Sequence, residues 1–375
     1  MAVDKLPSGR WRARYRGPDG KFRTSTHRLK SEAEQWQREQ LSARHRGGWV
    51  DPHHEAGTLQ AWVDQWSQAR GLRLRSSTIA RDEIYLRTHV LPAFGQMPLG
   101  KIAQQDVQQW VLDLVGTGLA PATVGKTYQL LSSALTAAVR AGRLRVSPCQ
   151  GVSVPTVERQ EMRFLTQGQV GALVQVMPPP WRALVLVAAY GGLRIGELAA
   201  LRRHRVDLTR GTVTVVETLS EVRGQLVIAP PKTGAGRRTV TLPRPVVAAL
   251  REHVAQYAAP GEDGYVFPTS QGHPLRVPAW RQRVWRPATV AAGLDGLRVH
   301  DLRHTAVALW IDSGASLLQV KQRAGHASST FTLDRYGHLY PNNDEALLAG
   351  LDAGFVAPAA SAAVLPLRLA RDVVG

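Results

Sequence analysis

The chain has 375 residues, 44% of them hydrophobic, enough to bury the cores of about two or three domains, and this excludes wholesale disorder. Its 47 Lys and Arg against 29 Asp and Glu leave a formal charge of +18, which suits a phosphate backbone; no basic amphipathic helix or lipidation signal points instead to a membrane. A single cysteine, Cys149, excludes intramolecular disulfides and cysteine-based metal clusters, and without a signal-like opening or an apolar run of about 18 residues a soluble, cytoplasmic protein is expected.

Residues 1–30 carry nine Lys or Arg against two Asp. In Arg10-Trp11-Arg12-Ala13-Arg14-Tyr15-Arg16 every second residue is Arg, so a strand would place Arg10, Arg12, Arg14 and Arg16 on one face and an apolar stripe on the other. Gly17-Pro18-Asp19-Gly20 is a turn, and Lys21-Phe22-Arg23-Thr24-Ser25 resumes the alternation, giving a β-hairpin with one basic face. A helix capped at Ser31 follows, with Ala33 and Trp36 packing back on the sheet. A solvated surface would explain the arginines; a DNA-binding module over 1–50 explains them better, because an all-Arg face repels itself unless phosphates or bases meet it.

Gly47 to Gly57 reads as a linker. An all-α domain over 58–150 is then expected. Leu59, Trp62, Val63 and Trp66 fall at i, i+3, i+4 and i+7. A second helix runs from Ser77 and stops before Pro92, a third carries Val107, Trp110, Val111 and Leu114, and a fourth starts at Ala120-Pro121 and ends at Gly142. Arg70, Arg73, Arg75, Arg81 and Lys126 are each ordinary surface cations alone; together they fit a face that clamps a nucleic-acid backbone.

After a second linker over 152–163, a mixed, mainly helical domain is expected over 163–350. Helices at 166–177 and 181–190 lead to Gly191-Gly192-Leu193-Arg194-Ile195-Gly196-Glu197-Leu198. Thr212–Leu219, Gln225–Ile228 and Arg238–Leu242 alternate and are β-branched, which predicts one three-stranded antiparallel sheet with Lys232 in the Pro230–Gly236 turn. Helices follow at 244–257, 278–291, 300–313, 316–323 and 329–336, and residues 354–375 form an Ala- and Pro-rich tail.

The chemistry concentrates late in the chain. His300, Arg303 and His304 sit at i, i+3 and i+4 and share a helix face, followed by Gly325-His326 and Asp334-Arg335-Tyr336-Gly337-His338. Breaking a phosphodiester by transesterification needs a nucleophile, charge on the non-bridging oxygens and a proton for the leaving oxygen. A phenol suits the first task, and two guanidiniums give planar bidentate contacts that can stand in for a metal. No Asp/Glu cluster with divalent-metal spacing is evident, so neither metal nor cofactor is expected.

The ordered set Gly-Leu-Arg194-x-Gly-Glu197-Leu, Lys232 in a β-turn, His300-x-Leu-Arg303-His304, Gly-His326 and Tyr336 resembles the tyrosine recombinase (phage integrase) family. The region 58–150 resembles that family's core-type DNA-binding domain and the N-terminal hairpin its arm-type domain. The resemblance implies that Arg194 and Arg303 hold the scissile phosphate, Lys232 protonates the leaving 5′-hydroxyl, His300 is a general acid/base, His326 hydrogen-bonds the phosphate, and Tyr336 attacks to leave a 3′-phosphotyrosyl intermediate. Glu197 and His304 would support the site, and His304 reads equally well as a structural histidine. Tyr340 competes for the nucleophile's role, but the ten-residue spacing from His326 favours Tyr336. Ala324 stands where the family usually has Leu. The resemblance further implies double-stranded attachment-site DNA as substrate, a homo-tetramer that makes and resolves a Holliday junction, and a host DNA-bending factor and an excisionase as partners. A chromosome-dimer resolving recombinase would usually lack an arm domain, and a non-catalytic DNA-binding regulator would have no need of all six positions.

Overall fold

The computed structural model describes residues 2–18, 20–45, 56–158, 161–340 and 344–356. Most of the linker read at 47–57 lies outside them, as does all of the tail beyond Val356, whose first residues close a helix, Asp344–Val356. The chain divides into two units, Met1–Glu161 with Ser220–Val227, and Met162–Leu219 with Ile228–Gly375.

In the first unit β1 (Ala2–Lys5), β2 (Trp11–Arg16) and β3 (Phe22–His27) form an antiparallel sheet in the order β1-β2-β3. The expected hairpin therefore gains a strand. Ala2-Val3-Asp4-Lys5 is too short to show a period, and only pairing with β2 makes it a strand. The β2 alternation holds: Ala13 and Tyr15 are buried, Arg14 and Arg16 exposed. The alternation of β3 does not follow it. Arg16 pairs with Phe22 and Tyr15 with Arg23, so Arg23 turns inward and is buried while Phe22 stands 67% exposed beside Arg14. Register, set by the turn, overrides composition here. Helix α1 (Lys30–His45) packs Ala33 and Trp36 on the inner face, Trp36 edge-on to Tyr15 with centroids 5.4 Å apart.

The helical part of this unit comprises α2 (Leu59–Gly71), α3 (Ser76–Tyr85), α4 (Leu91–Phe94), α5 (Gln104–Gly116) and α6 (Pro121–Arg140). Leu59, Trp62, Val63 and Trp66 form the buried stripe of α2, against Val107, Trp110 and Val111 of α5 and Leu131 and Leu135 of α6. The expected stop before Pro92 is absent. A π-helical turn, Leu86–Val90, joins α3 to α4, and the Leu91 N–H reaches back to Leu86 O. Widening the turn to i→i+5 makes room for Pro92, which has no N–H to place. Cys149 packs into this core, and burial pushes its thiol up to about 11, so it is a small apolar residue.

In the second unit, capping boxes at Thr166/Gln169 and Ser316/Gln319 start α7 (Gln167–Val176) and α14 (Leu317–Ala324). Between them lie α8 (Pro179–Gly191), α9 (Ile195–Ala199), α10 (Arg244–Gln256), α11 (Val277–Trp280), α12 (Arg286–Ala291) and α13 (Asp301–Asp312); α15 (Ser329–Tyr336) follows. A second π-turn, Arg281–Trp285, precedes Pro287 just as the first precedes Pro92. The single three-stranded sheet expected from 212–242 is two sheets. β4 (Val206–Asp207), β5 (Thr212–Val215) and β8 (Arg238–Thr241) form one, in the order β4-β5-β8. β6 (Thr218–Val222) and β7 (Gln225–Ala229) form a separate hairpin, of which Ser220–Val227 belongs to the first unit, turned at Arg223-Gly224 with φ of 51° and 77°. Positive φ at both turn residues is the tight hairpin geometry, which pairs β6 with β7 and leaves β5 to β8. No helix among the described residues is long and apolar enough to cross a membrane.

Candidate active site

Helix α8 is apolar on nearly every side and ends at Gly192, whose φ is +66°. A side chain there would be strained, and its Cβ would meet Trp310 of α13 at 2.6 Å. The glycine turn lets α8 and α13 pack closely and delivers Arg194 as the N-cap residue of α9. From α13, Arg303 reaches into the same place. It is 3% exposed and donates to Gly192 O at 2.6 Å and to Ala324 O. Ala324, small and fully buried, thus contributes its carbonyl to holding the arginine. Burial, with Arg194 and Arg238 nearby, lowers the Arg303 guanidinium to about 9, still charged at neutral pH.

Glu197, also buried, accepts from the Arg194 N–H (2.8 Å) and from Arg194 Nη1 (2.8 Å). It accepts twice more from Arg238, at 3.1 and 2.8 Å. Burial opposes ionisation of this carboxyl, but the bonds and charges of Arg238 and Arg194 hold it below the usual carboxylate range. Sequence reading did not single out Arg238; its one signal was phase, since it alternates with inward-facing Val240.

Gly325, with φ +64°, closes α14, and a Cβ there would lie 2.8 Å from Ala235 O. His326 follows, buried, with Nδ1 2.9 Å from the Thr332 hydroxyl, a partner that sequence reading also missed. Tyr336 ends α15, 1% exposed, its ring parallel to His326 at 6.1 Å between centroids. Its hydroxyl lies 2.6 Å from His304 Nδ1, and the His304 ring meets His300 edge-on at 4.8 Å. Burial, reinforced by Arg303 and Arg194, lowers His326 to about 3; burial, with His300 alongside, lowers His304 to about 4. His300, at the exposed rim, is also lowered, by the desolvation of its inner side and by Arg303 and Arg194. All three rings are therefore neutral at pH 7. Burial raises the Tyr336 phenol even though Arg303, Arg335 and Arg194 pull it down. Tyr340 packs against the same small core, its hydroxyl buried without a hydrogen-bond partner among the described residues.

The three segments of the chain each match a family model: residues 163–343 the phage integrase family, 58–115 the phage integrase N-terminal SAM-like domain, and 2–46 the phage integrase N-terminal domain. The chain is 31% identical over 357 residues to the putative prophage phiRv2 integrase of Mycobacterium tuberculosis, covering 92% of this chain and 93% of that one. The chain belongs to the phage integrase family of tyrosine recombinases. It is a site-specific DNA recombinase of the integrase type. It is also 28% identical to the ICEBs1 integrase of Bacillus subtilis, over 71% of this chain and 75% of the relative. Its fold is that of the Tn1549 transposon integrase solved with transposon right end DNA, at a TM-score of 0.68 and 19% identity over 80% of this chain and all of that one. A lambda integrase tetramer bound to a Holliday junction aligns at 0.56 and 16% identity, over 88% and 96%.

Of the residues expected to serve this recombinase, Arg194, Glu197, His300, Arg303, His304, His326 and Tyr336 converge in the second unit. Lys232 is exposed in the loop between β7 and β8, and among the described residues no hydrogen bond joins it to the others. Arg10, Arg14, Arg16, Arg73 and Lys126 are exposed, and Arg12 and Arg75 half-buried, in the first unit. Arg10 precedes β2, so the basic face of that strand is Arg12, Arg14 and Arg16.

Proposed function

We propose that this recombinase integrates a phage or other mobile element by cutting and rejoining double-stranded DNA at attachment sites, with Tyr336 as nucleophile. The observation that carries the reading is the Tyr336 hydroxyl at 2.6 Å from a neutral imidazole, in a site lined by Arg303, Arg194 and His326. Arg194 and Arg303 take the non-bridging oxygens of the scissile phosphate and His326 donates to one of them. The Tyr336 oxygen forms a bond to phosphorus and the bond from phosphorus to the 5′-oxygen breaks. The phenolic proton passes to His304, with His300 edge-on beside it as general acid/base at the rim. Lys232 supplies the proton that the 5′-oxygen gains, its loop bringing it in when DNA is bound. Attack by a 5′-hydroxyl of the second duplex reverses the step and frees the tyrosine.

Segments 1–50, 58–150 and 163–350 act as arm-type, core-type and catalytic domains. Four protomers hold two duplexes and pass through a Holliday junction, and a host DNA-bending factor and an excisionase set direction. On a nicked suicide duplex, which loses its 5′-fragment after cleavage, the wild-type chain forms a denaturation-resistant adduct. Tyr336→Phe binds the same duplex with unchanged affinity and forms none. An adduct retained in that variant would move the nucleophile elsewhere.

A further inference from the structure

Arg238 opens β8 with its side chain only 5% exposed, and every polar atom of its guanidinium is engaged. Nη1 and Nη2 donate to the two oxygens of Glu197, Nη1 also to Gly236 O at 3.1 Å, and Nε to Arg323 O at 2.7 Å. The same carboxylate holds Arg194 through a second side-chain bond, and the Arg194 side chain is 40% exposed. One buried negative charge is thus shared by an inner guanidinium that is closed in and an outer one that is open.

The sharing has an electrostatic consequence. A carboxylate with one arginine is a neutral pair, and in a desolvated site that arginine has little charge left for an incoming anion. With Arg238 on its inner side the group of three carries a net positive charge, and the open member is Arg194. We propose that Arg238 is a positioning residue for Arg194: by occupying Glu197 from the buried side it keeps the Arg194 guanidinium free to bind the scissile phosphate. Glu197 then orients Arg194 without neutralising it. Through Gly236 O and Arg323 O the same side chain ties in the loop that carries Lys232 and the end of the helix that leads into Gly325-His326. The inference rests on the reading of Arg194 as a phosphate ligand.

The test separates charge from scaffolding by comparing two substrates. Nicked suicide duplexes that the wild-type chain captures covalently are selected from a randomised pool, and the best is made with either an ordinary phosphate or a neutral methylphosphonate at the cleavage point. If the wild-type chain captures nothing, the functional reading fails, whatever Arg238 does. If it does capture DNA, Arg238→Met is expected to slow adduct formation on the phosphate by about 100-fold, the scale for losing one preorganised donor. On the methylphosphonate, which has no charge to neutralise, Arg238→Met is expected to act near the wild-type rate. Removing the competing charge in Arg238→Met/Glu197→Gln should restore much of the loss on the phosphate. Equal losses on both substrates, or a double variant no faster than Arg238→Met, would overturn the proposal. Arg238→Gln covers the case in which Met prevents folding. It keeps an amide donor toward Glu197 but not the charge, so its loss must show the same preference for the neutral substrate, and an equal loss on both overturns the proposal as well.

Discussion

The buried imidazoles of His304 and His326 make the site sensitive to acid before any DNA arrives. Both rings hold a lower affinity for protons when folded, at about 4 and about 3, than the ordinary histidine value. In the window below the unfolded value the unfolded chain binds the additional protons, so stability falls as pH drops from about 6.5 towards 4. Between pH 7 and pH 5 the loss is about 2 kcal/mol for each ring. Urea midpoints followed for the catalytic unit should fall accordingly, and His326→Gln should flatten the slope; a midpoint unchanged down to pH 5 contradicts the burial of these rings. Most of this site was readable because each residue sits in a short run with its own spacing: Arg194 three before Glu197, His300 three before Arg303, His326 ten before Tyr336. Arg238 had no such neighbour. Its partners, Glu197 and Arg323 O, come from other elements, and only its phase with Val240 marked it as facing inward. His304 had the right spacing for a helix face, but spacing does not say which ring reaches the tyrosine. The answer came from where α15 ends.

At the scale of elements, two glycine turns do much of the positioning. Gly325 is required twice over, by its φ of +64° and by the approach of Ala235 O and the Arg238 side chain. Gly325→Ala should therefore destabilise by about 1–2 kcal/mol from backbone strain alone, with more from the crowding. It should also slow adduct formation more than it weakens DNA binding, because the turn sets His326 and not the cations proposed to hold DNA. A thermal melt and a gel-shift titration measure the two effects; equal losses in both would mean that the turn serves the fold and not the site. Helices were visible in the sequence, since periodicity is local, but the cap expected at Ser31 was misplaced: α1 starts at Lys30, and Glu32 accepts from the Leu29 N–H. Pairing was not visible. The 212–242 region was correctly β-rich, but which strands join depends on the tight turn at Arg223-Gly224. Pro92, which should have ended a helix, is absorbed by a π-turn, and so is Pro287 inside the helical stretch expected over 278–291, a change of register that residue preference does not announce.

For the whole molecule, the surplus of positive charge predicts how the chain holds DNA. The first 30 residues carry nine Lys or Arg and two Asp, and β2 shows Arg12, Arg14 and Arg16 on one face with Thr24 and Thr26 across from two of them. The Arg12–Asp4 pair at 3.9 Å is half exposed and weak, so that arginine stays available. Phe22, exposed between arginines, gives the face an apolar surface suited to thymine methyl groups as well as phosphates. If these three arginines meet phosphates, replacing all of them by Ala lowers the slope of log affinity against log salt by about 3. The measurement is fluorescence anisotropy on an arm-type duplex between about 50 and 200 mM salt, the range over which phosphate contacts dominate. Binding to a core-type duplex should keep its slope, since the cations proposed to serve it, Arg73, Arg75 and Lys126, lie in another part of the chain. Deleting residues 1–50 should likewise spare core binding and abolish integration. A triple variant whose arm-duplex slope equals that of the wild-type chain would return the strand to an ordinary solvated surface.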